Sequence, residues 1–494
     1  MFQHFCFSFY GHIADCQYPF MIIYVGCGGT GNIMCSECGG RGHLDIDIDM
    51  DSLQKKEPRG KFGVLLSAHA SQSRALRADT RGEMLYSFRE LSNVQLQTTV
   101  MGIKVFTISF ILASSLLFLL FVPSKLMAPS PRFRPPTFAP NSSYPVTFAY
   151  LISASRGDSV KLTRLLRALY HPANFYLIHL ELGAPEAERG ELARVVARDP
   201  VLGPAGNVWV VGKPNLVTYR GPTMVATTLH AMAILLRTCR WDWFINLSAS
   251  DYPLVTQDDL IHAFSNVPKN VNFIQHSSRL GWKLNNRGKP IVIDPALYSR
   301  NKSELWWVIK QRALPTAFKL YTGSAWTVLS RSFAEYCVIA WDNLPRTLLL
   351  YYTNFLSSPE GYFQTVICNS DVFSNTTANH DLHYITWDNP PRQHPRYLGQ
   401  KDYKRMIQSN RPFARKFRQN DPVLDRIDRD LLKRGRREFS FGGWCLGSGN
   451  AKRACSDLQS INYGSLHPGP GAKRVGGLLS RVLSARNFTR KQCK

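Results

Sequence analysis

The segment WDWFINLSASDYPL, Trp241 to Leu254, decides how this chain folds. It opens as an uninterrupted apolar strand, turns polar at Ser248, and stops at Asp251, Tyr252 and Pro253. An acid at the end of a buried strand is where many α/β enzymes keep a ligand-binding group. Asp251 is thus a candidate to hold a metal, to touch a substrate, or to tie down a turn.

Working outward, the same alternation repeats on the N-terminal side. VTFAYLISAS (146–155), NFYLIHLE (174–181) and NVWVVGK (207–213) read as buried strands. Between them DSVKLTRLLRALY (158–170), ERGELARVVARD (188–199) and TMVATTLHAMAILLRTC (223–239) carry apolar residues at helical spacing. A βαβαβαβ run implies an α/β fold with a doubly wound, mostly parallel sheet. Ligands of such sheets sit beyond the carboxyl ends of the strands, the edge that holds both Asp251 and Glu181.

The chain has 494 residues, 44% of them hydrophobic and 19% charged, as in a globular enzyme rather than a disordered protein. Its formal net charge of +25 favours anionic partners. No RNP, KH, homeodomain or complete zinc-finger pattern accompanies that charge, so nucleic acid is not an expected partner. Cys239, Cys337, Cys368, Cys445, Cys455 and Cys493 are scattered without a CxxC, which suits disulfides in an oxidising compartment. Cys445 and Cys455 are close enough to close a short loop.

VFTISFILASSLLFLLFV, Val105 to Val122, carries no charge and is bracketed by Lys104 and Lys125. As a helix it spans about 27 Å, enough for a hydrocarbon core, so residues 101–122 read as a transmembrane signal anchor. Residues 123–145 are rich in proline and serine and read as a stem. Asn-X-Ser/Thr triplets stand at Asn141, Asn246, Asn301, Asn375 and Asn487; Asn246 lies inside the apolar strand and is expected to stay unmodified. Residues 1–100 share no pattern with the rest. CSECGGRG (35–42) fits a DnaJ-type zinc-ribbon knuckle and CGGTG (27–31) half of another, but Cys27, Cys35 and Cys38 fall short of four thiolates. An atypical extension before a natural start at Met101 is the expected reading, with a zinc module as its alternative.

LLRALYHPANFYLIHLE, WDWFINLSASDYPL, GSAWTVLSR, SPEGYFQTVICNS and RPFARKF occur in order between about Val146 and Leu446. In them the chain resembles glycosyltransferase family 14, the core-2/I-branching and xylosyltransferase group. Within it the chain looks most like the plant β-glucuronosyltransferases that act on arabinogalactan proteins. The resemblance implies a GT-A-like catalytic domain over 146–446, a basic tail over 447–494, and a single-pass type II Golgi membrane protein with a lumenal catalytic domain. It further implies a UDP-sugar donor, UDP-glucuronic acid, with galactan chains as acceptor. No cofactor and no divalent metal are expected: the strand ends SASDYP, and a lone carboxylate is a poor Mg²⁺ or Mn²⁺ site.

The resemblance also implies roles for single residues. Glu360, in SPEG, matches the family's catalytic base, and Gly361 departs from the bulkier residue of the animal branching enzymes. Arg396 in HPRYLG and Lys416 in FARKF match the basic pair that meets the leaving diphosphate, each worth about 3 kcal/mol in the barrier by analogy with oxyanion donors; Arg415 and Lys404 are spares. Glu181 matches a position that binds ribose or uracil, and Tyr219 one that stacks on the base. Arg220 is expected to reach a glucuronate carboxylate by bidentate pairing. Trp326, with Trp282 and Lys283, falls on the acceptor side, and Asp251 is expected on donor sugar or acceptor hydroxyls. Each has a bland counterpart: a helix-start acid for Glu360, a solvated basic surface for Arg396 and Lys416, capped strand ends for Glu181, Tyr219 and Arg220, a core aromatic for Trp326, a surface loop for Trp282, an Asx-type turn for Asp251. His179, inside an apolar strand, reads as a core residue, and His380 lacks a third ligand at metal spacing. Alternatives to glucuronate transfer are UDP-N-acetylglucosamine or UDP-xylose on the same scaffold, or a non-catalytic glycan-binding protein.

Overall fold

A computed structural model describes residues 32–34, 41–43, 144–298, 304–390, 392, 394–445 and 464–493. Two units are distinguished, one of them Gly29–Phe133. Within that unit Asn32–Met34 pairs antiparallel with Arg41–His43. Cys27, Cys35 and Cys38, the expected anchor and the stem up to residue 143 lie outside the described residues, as do Asn141 and Asn301. Among the described residues no helix is long and apolar enough to cross a membrane.

The larger unit is built on a seven-stranded sheet. Its parallel half comprises β1 (Phe148–Ala154), β2 (Phe175–Leu180), β3 (Val208–Val210) and β4 (Trp243–Ser248), in the order β4-β1-β2-β3. The helices α1 (Ser159–Leu169), α2 (Glu186–Arg198) and α3 (Thr223–Thr238) make the crossovers. After β4 come β5 (Asp251–Pro253), α4 (Gln257–Phe264), β6 (Asn272–Phe273), β7 (His276–Ser277), β8 (Ile291–Ile293), β9 (Trp306–Val308), β10 (Thr322–Gly323) and β11 (Val328–Ser330), then the helices α5 (Arg331–Ile339) and α6 (Leu344–Tyr352) and, further on, α8 (Tyr403–Gln408). β11 runs antiparallel between β4 and β6, and β12 (Thr377–Ala378) closes that edge parallel to β6. The sheet is thus mostly parallel with one reversed strand, a reversal that the sequence reading did not contain.

Alternation along the strands makes two core layers. Phe148, Tyr150 and Ile152 of β1 pack with Leu162, Leu165 and Leu169 of α1 and Phe264 of α4. Ala149 and Leu151 face the other way, toward Val225, Met232 and Leu235 of α3. A strand buried on both faces has no polar face to show, which is why these segments read as continuous apolar runs. His179 of β2 is buried, and its Nε2 accepts the Asn215 amide at 2.9 Å. The Asn246 side chain of β4 donates to the Ala325 carbonyl and accepts from the Thr327 amide, so it is spent inside the fold.

Three further devices fix the strand ends. A small sheet pairs β13 (His383–Ile385) with β14 (Phe413–Arg415), and β14 antiparallel with β5, setting Arg415 opposite Asp251. A buried ionic cluster lies behind it. Asp428, on α9 (Pro422–Asp430), accepts from Arg164 at 2.6 Å, Arg434 at 3.1 Å and the Tyr252 hydroxyl at 2.6 Å. The C-terminal part, expected as a tail, carries α10 (Pro470–Val482) and α11 (Ala485–Arg490). Two adjacent acids at the start of α4 hold it: Asp258 accepts from the Gly443 and His467 amides, and Asp259 from those of Gly469 and Ala472. A disulfide joins Cys368, on α7 (Tyr362–Asn369), to Cys493. Cys445 is also disulfide-bonded.

Candidate active site

The C-terminal edge of β1, β2 and β4 gathers most of the candidate residues. Glu181 follows β2 and is buried there. Because β11 is reversed, its N-terminal end lies at this same edge, which puts Trp326 beside the turn after β4. Asp251 is buried in that turn: Ser248 donates to its Oδ2 through the amide at 2.5 Å and the hydroxyl at 2.9 Å. Its Oδ1 faces Arg415 Nε at 3.5 Å.

Arg415 is the most informative side chain of the cleft. Its guanidinium lies 3.7 Å from the Trp326 ring centroid, and its buried Nε and Nη1 hydrogens find no hydrogen-bond acceptor among the described residues. Burial lowers its pKa against the pull of Asp251. A buried cationic donor without an acceptor is costly unless an anion completes it. Lys416, next along, sits 4.3 Å over the Tyr397 ring, and burial together with Arg415 lowers its pKa. Arg396 instead has a close hydrogen bond, donating to Asp402 at 2.6 Å.

Glu360 closes a 3₁₀ turn, Ser358–Glu360, ahead of α7. Its Oε2 accepts from Arg287 Nη1 at 2.5 Å and lies 3.5 Å from Lys283 Nζ, with about a third of the side chain exposed to the cleft. Burial lowers the Lys283 pKa in spite of Glu360. Gly361 has a clear reason: a Cβ there would meet the Tyr352 hydroxyl at 2.7 Å. The turn is clasped to the loop of Tyr219 and Arg220 by the Ser357 amide, which donates to the Arg220 carbonyl at 2.8 Å. Both Ser357 and Arg220 are left-handed, with φ of 60° and 63°, a conformation that non-glycine residues keep only where the surroundings hold it. At the neighbouring Gly221 a Cβ would lie 2.2 Å from buried Asp294, so the loop can pass there only as glycine.

Tyr219 is half-exposed, and its hydroxyl lies 3.2 Å from His394 Nδ1. Burial raises its pKa, and the charges of Arg220, Glu360, Arg415 and Arg287 all reach it. Burial, Lys416, Arg220 and Arg415 hold the His394 pKa below its ordinary value. Trp282 is exposed on the far side of Arg287, whose guanidinium lies 5.4 Å over its ring. The structure thus brings Glu360, Tyr219, Arg220, Lys416, Asp251 and Trp326 into one cleft, and adds Arg287, Arg415 and His394. Arg287 lay in a loop read only for Trp282 and Lys283. Its one sequence signal is a position four residues beyond Lys283, a basic pair on one side of a short helical turn.

Chemically the cleft offers one carboxylate open to solvent among cations. Asp251 has one oxygen engaged by Ser248 and the other facing Arg415. His276 lies within 4.8 Å of Cys368 and Cys493, but their disulfide leaves no thiolate to bind a metal. A cavity of about 950 Å³ lies between α4 and α10, and among the described residues its lining has neither carboxylate nor arginine.

Residues 148–407 match the family described as Core-2/I-Branching enzyme. The beta-glucuronosyltransferase GlcAT14A of Arabidopsis thaliana is 56% identical over 352 residues, 71% of this chain and 78% of that protein. GlcAT14C of the same plant is 48% identical, over 70% of this chain and 85% of that protein. Human xylosyltransferase 2 is 30% identical over 58% of this chain and 34% of its own length. Every candidate residue up to Arg396 falls within the matched span; Arg415 and Lys416 lie just beyond it.

Proposed function

The chain belongs to the core-2/I-branching enzyme family and is a glycosyltransferase, and from that premise we propose that it moves glucuronic acid from UDP-glucuronic acid to galactose residues of β-galactan chains on arabinogalactan proteins. In this reading the domain is of GT-A type, acts with inversion and needs no divalent metal. The observation that carries it is one solvent-open carboxylate, Glu360, held by Arg287, together with a buried guanidinium, Arg415, two of whose nitrogens find no hydrogen-bond acceptor among the described residues.

The Glu360 carboxylate takes the proton of the attacking galactose hydroxyl. The oxygen bonds to the anomeric carbon as the bond to the diphosphate breaks, and UDP leaves with the electron pair. Arg415 and Lys416 neutralise the charge that develops on it, in a site where little water competes. Arg415 takes the place first given to Arg396, because Arg396 already donates to Asp402. Asp251 aims the guanidinium and balances it until the nucleotide arrives. Tyr219 stacks on the donor, Glu181 meets its nucleoside end, and Arg220 offers the glucuronate carboxylate a two-pronged partner. The disulfide Cys368–Cys493 agrees with a lumenal, oxidising setting, and a Golgi anchor at residues 101–122 completes the reading.

The test is transfer by the full chain with UDP-glucuronic acid, UDP-N-acetylglucosamine and UDP-xylose in parallel, on β-galactan oligosaccharides, with and without excess EDTA. Glucuronate transfer that survives EDTA is expected. Loss with EDTA sinks metal independence, and transfer of another sugar sinks the donor while keeping the chemistry.

A further inference from the structure

We propose that the cavity behind Arg287 is a subsite for the acceptor chain, binding galactose units beyond the one that is modified, so that the enzyme prefers a polymer to a short acceptor. The inference rests on the galactan reading above. The cavity measures about 530 Å³, and Arg220, Trp282, Asn286, Arg287, Trp307 and Gln311 are among the residues that line it, with Ile309 beside them. Trp282 is 63% exposed, Trp307 54% and Ile309 89%. Three large apolar side chains held in water around one concavity mark an interaction site rather than ordinary surface. The pairing of β8 with β9 holds Trp307 opposite buried Val292, so its indole stands on a fixed base.

The lining matches a neutral sugar chain. The C–H face of a galactopyranose is apolar and flat enough to stack on indole, while side-chain amides such as Asn286 and Gln311 both donate to and accept from ring hydroxyls. Position supplies the second argument. Arg287 belongs to the cavity wall and also holds Glu360 at 2.5 Å. Arg415 and Lys416, the groups assigned to the leaving diphosphate, are absent from the wall, whereas Arg220, assigned to the donor's glucuronate, stands at its edge, where donor sugar and acceptor must meet. In an in-line displacement the acceptor enters opposite the leaving group, on the side of the base. A chain whose reacting galactose reaches Glu360 therefore continues over Arg287 onto Trp282 and Trp307.

The experiment compares a β-galactose disaccharide with a longer β-galactan oligosaccharide as acceptors for the full-chain enzyme. The wild type is expected to give a higher kcat/KM on the longer chain. Trp307→Ala should lower that value about ten-fold, through KM, with the disaccharide affected about two-fold or less and the donor KM unchanged. Trp307→Tyr should recover part of the loss, which separates stacking from misfolding, and Trp341→Ala, at an exposed tryptophan elsewhere, should change neither acceptor. Equal loss on both acceptors, no preference for length in the wild type, or a change in oligomeric state on Trp307→Ala would overturn the subsite. Quenching of tryptophan fluorescence by the oligosaccharide needs no donor. If the wild type transfers no glucuronate yet is quenched, and Trp307→Ala is not, the function above fails and the subsite stands. Absence of quenching in the wild type sinks the subsite, whichever sugar is transferred.

Discussion

Replacing Glu360 by Gln keeps the shape that Arg287 and Lys283 hold and removes the charge that accepts a proton. Turnover is expected to fall about 10²–10⁴-fold, while UDP affinity, measured by calorimetry, stays within a few-fold. Asp251 is decided by a double-mutant cycle. If it acts through Arg415, Asp251→Asn and Arg415→Gln should each lower kcat/KM, and their combination should cost less than the sum, with a coupling of about 0.5–3 kcal/mol. Additive losses would return Asp251 to direct contact with substrate. The position of Asp251 at a strand end was legible in the sequence, because an apolar run followed by a polar turn has one simple reading. The pairing of Arg415 with it was not. That contact depends on the register of β14 on β5, two short strands far apart in the chain, and no local pattern encodes it. For the same reason Arg396 and Arg415 could not be ranked from sequence: both sit in a basic stretch, and only the acceptor found by one of them, Asp402, tells them apart.

At the scale of elements, the first four strands and their helices were readable because each carries its own period. The reversal of β11 was not, since strand direction is a property of the sheet and not of a tripeptide. The C-terminal helix was overlooked for a different reason. Val475, Leu478, Leu479 and Val482 do repeat at helical spacing, but Gly476 and Gly477 interrupt them and basic residues surround them, so composition masked the period. In the fold Val475, Leu478 and Leu479 are buried in the core layer that contains α4. Cys493 then bonds Cys368 across 125 residues of chain. Cys493→Ser should lower the unfolding free energy by about 2–4 kcal/mol, read as a shift of the urea midpoint. Cys368→Ser should have a similar effect and the double variant little more, because either change opens the same loop.

Across the whole molecule, histidines set the response to acid. Burial lowers the pKa of His179 to about 3 and of His380 to about 4, and also lowers those of His230, His276 and His383 from the ordinary 6.5. The unfolded chain therefore binds more protons than the folded one between pH 6.5 and these lower values. The stability they lend is fully present above about pH 6.5 and is lost as pH falls toward 4, at about 1.4 kcal/mol per pH unit for each proton taken up. Thermal unfolding followed from pH 7 to 4 should show this slope. His179→Gln, whose side-chain oxygen can still accept the Asn215 amide, should make it shallower by about one proton.

The acids Asp258 and Asp259 have a consequence for biogenesis. Four backbone amides that satisfy them belong to Gly443, His467, Gly469 and Ala472, some two hundred residues downstream on the chain. While translation proceeds, α4 must wait with one oxygen of each acid, Asp258 Oδ2 and Asp259 Oδ1, still unfilled and the apolar side chains of its buried face uncovered. A ribosome that has delivered every residue of the catalytic cleft has still not delivered the segment that seals the core behind it. Nascent chains stalled after Lys416 should therefore be held by chaperones, and release should come only once Ala472 has emerged.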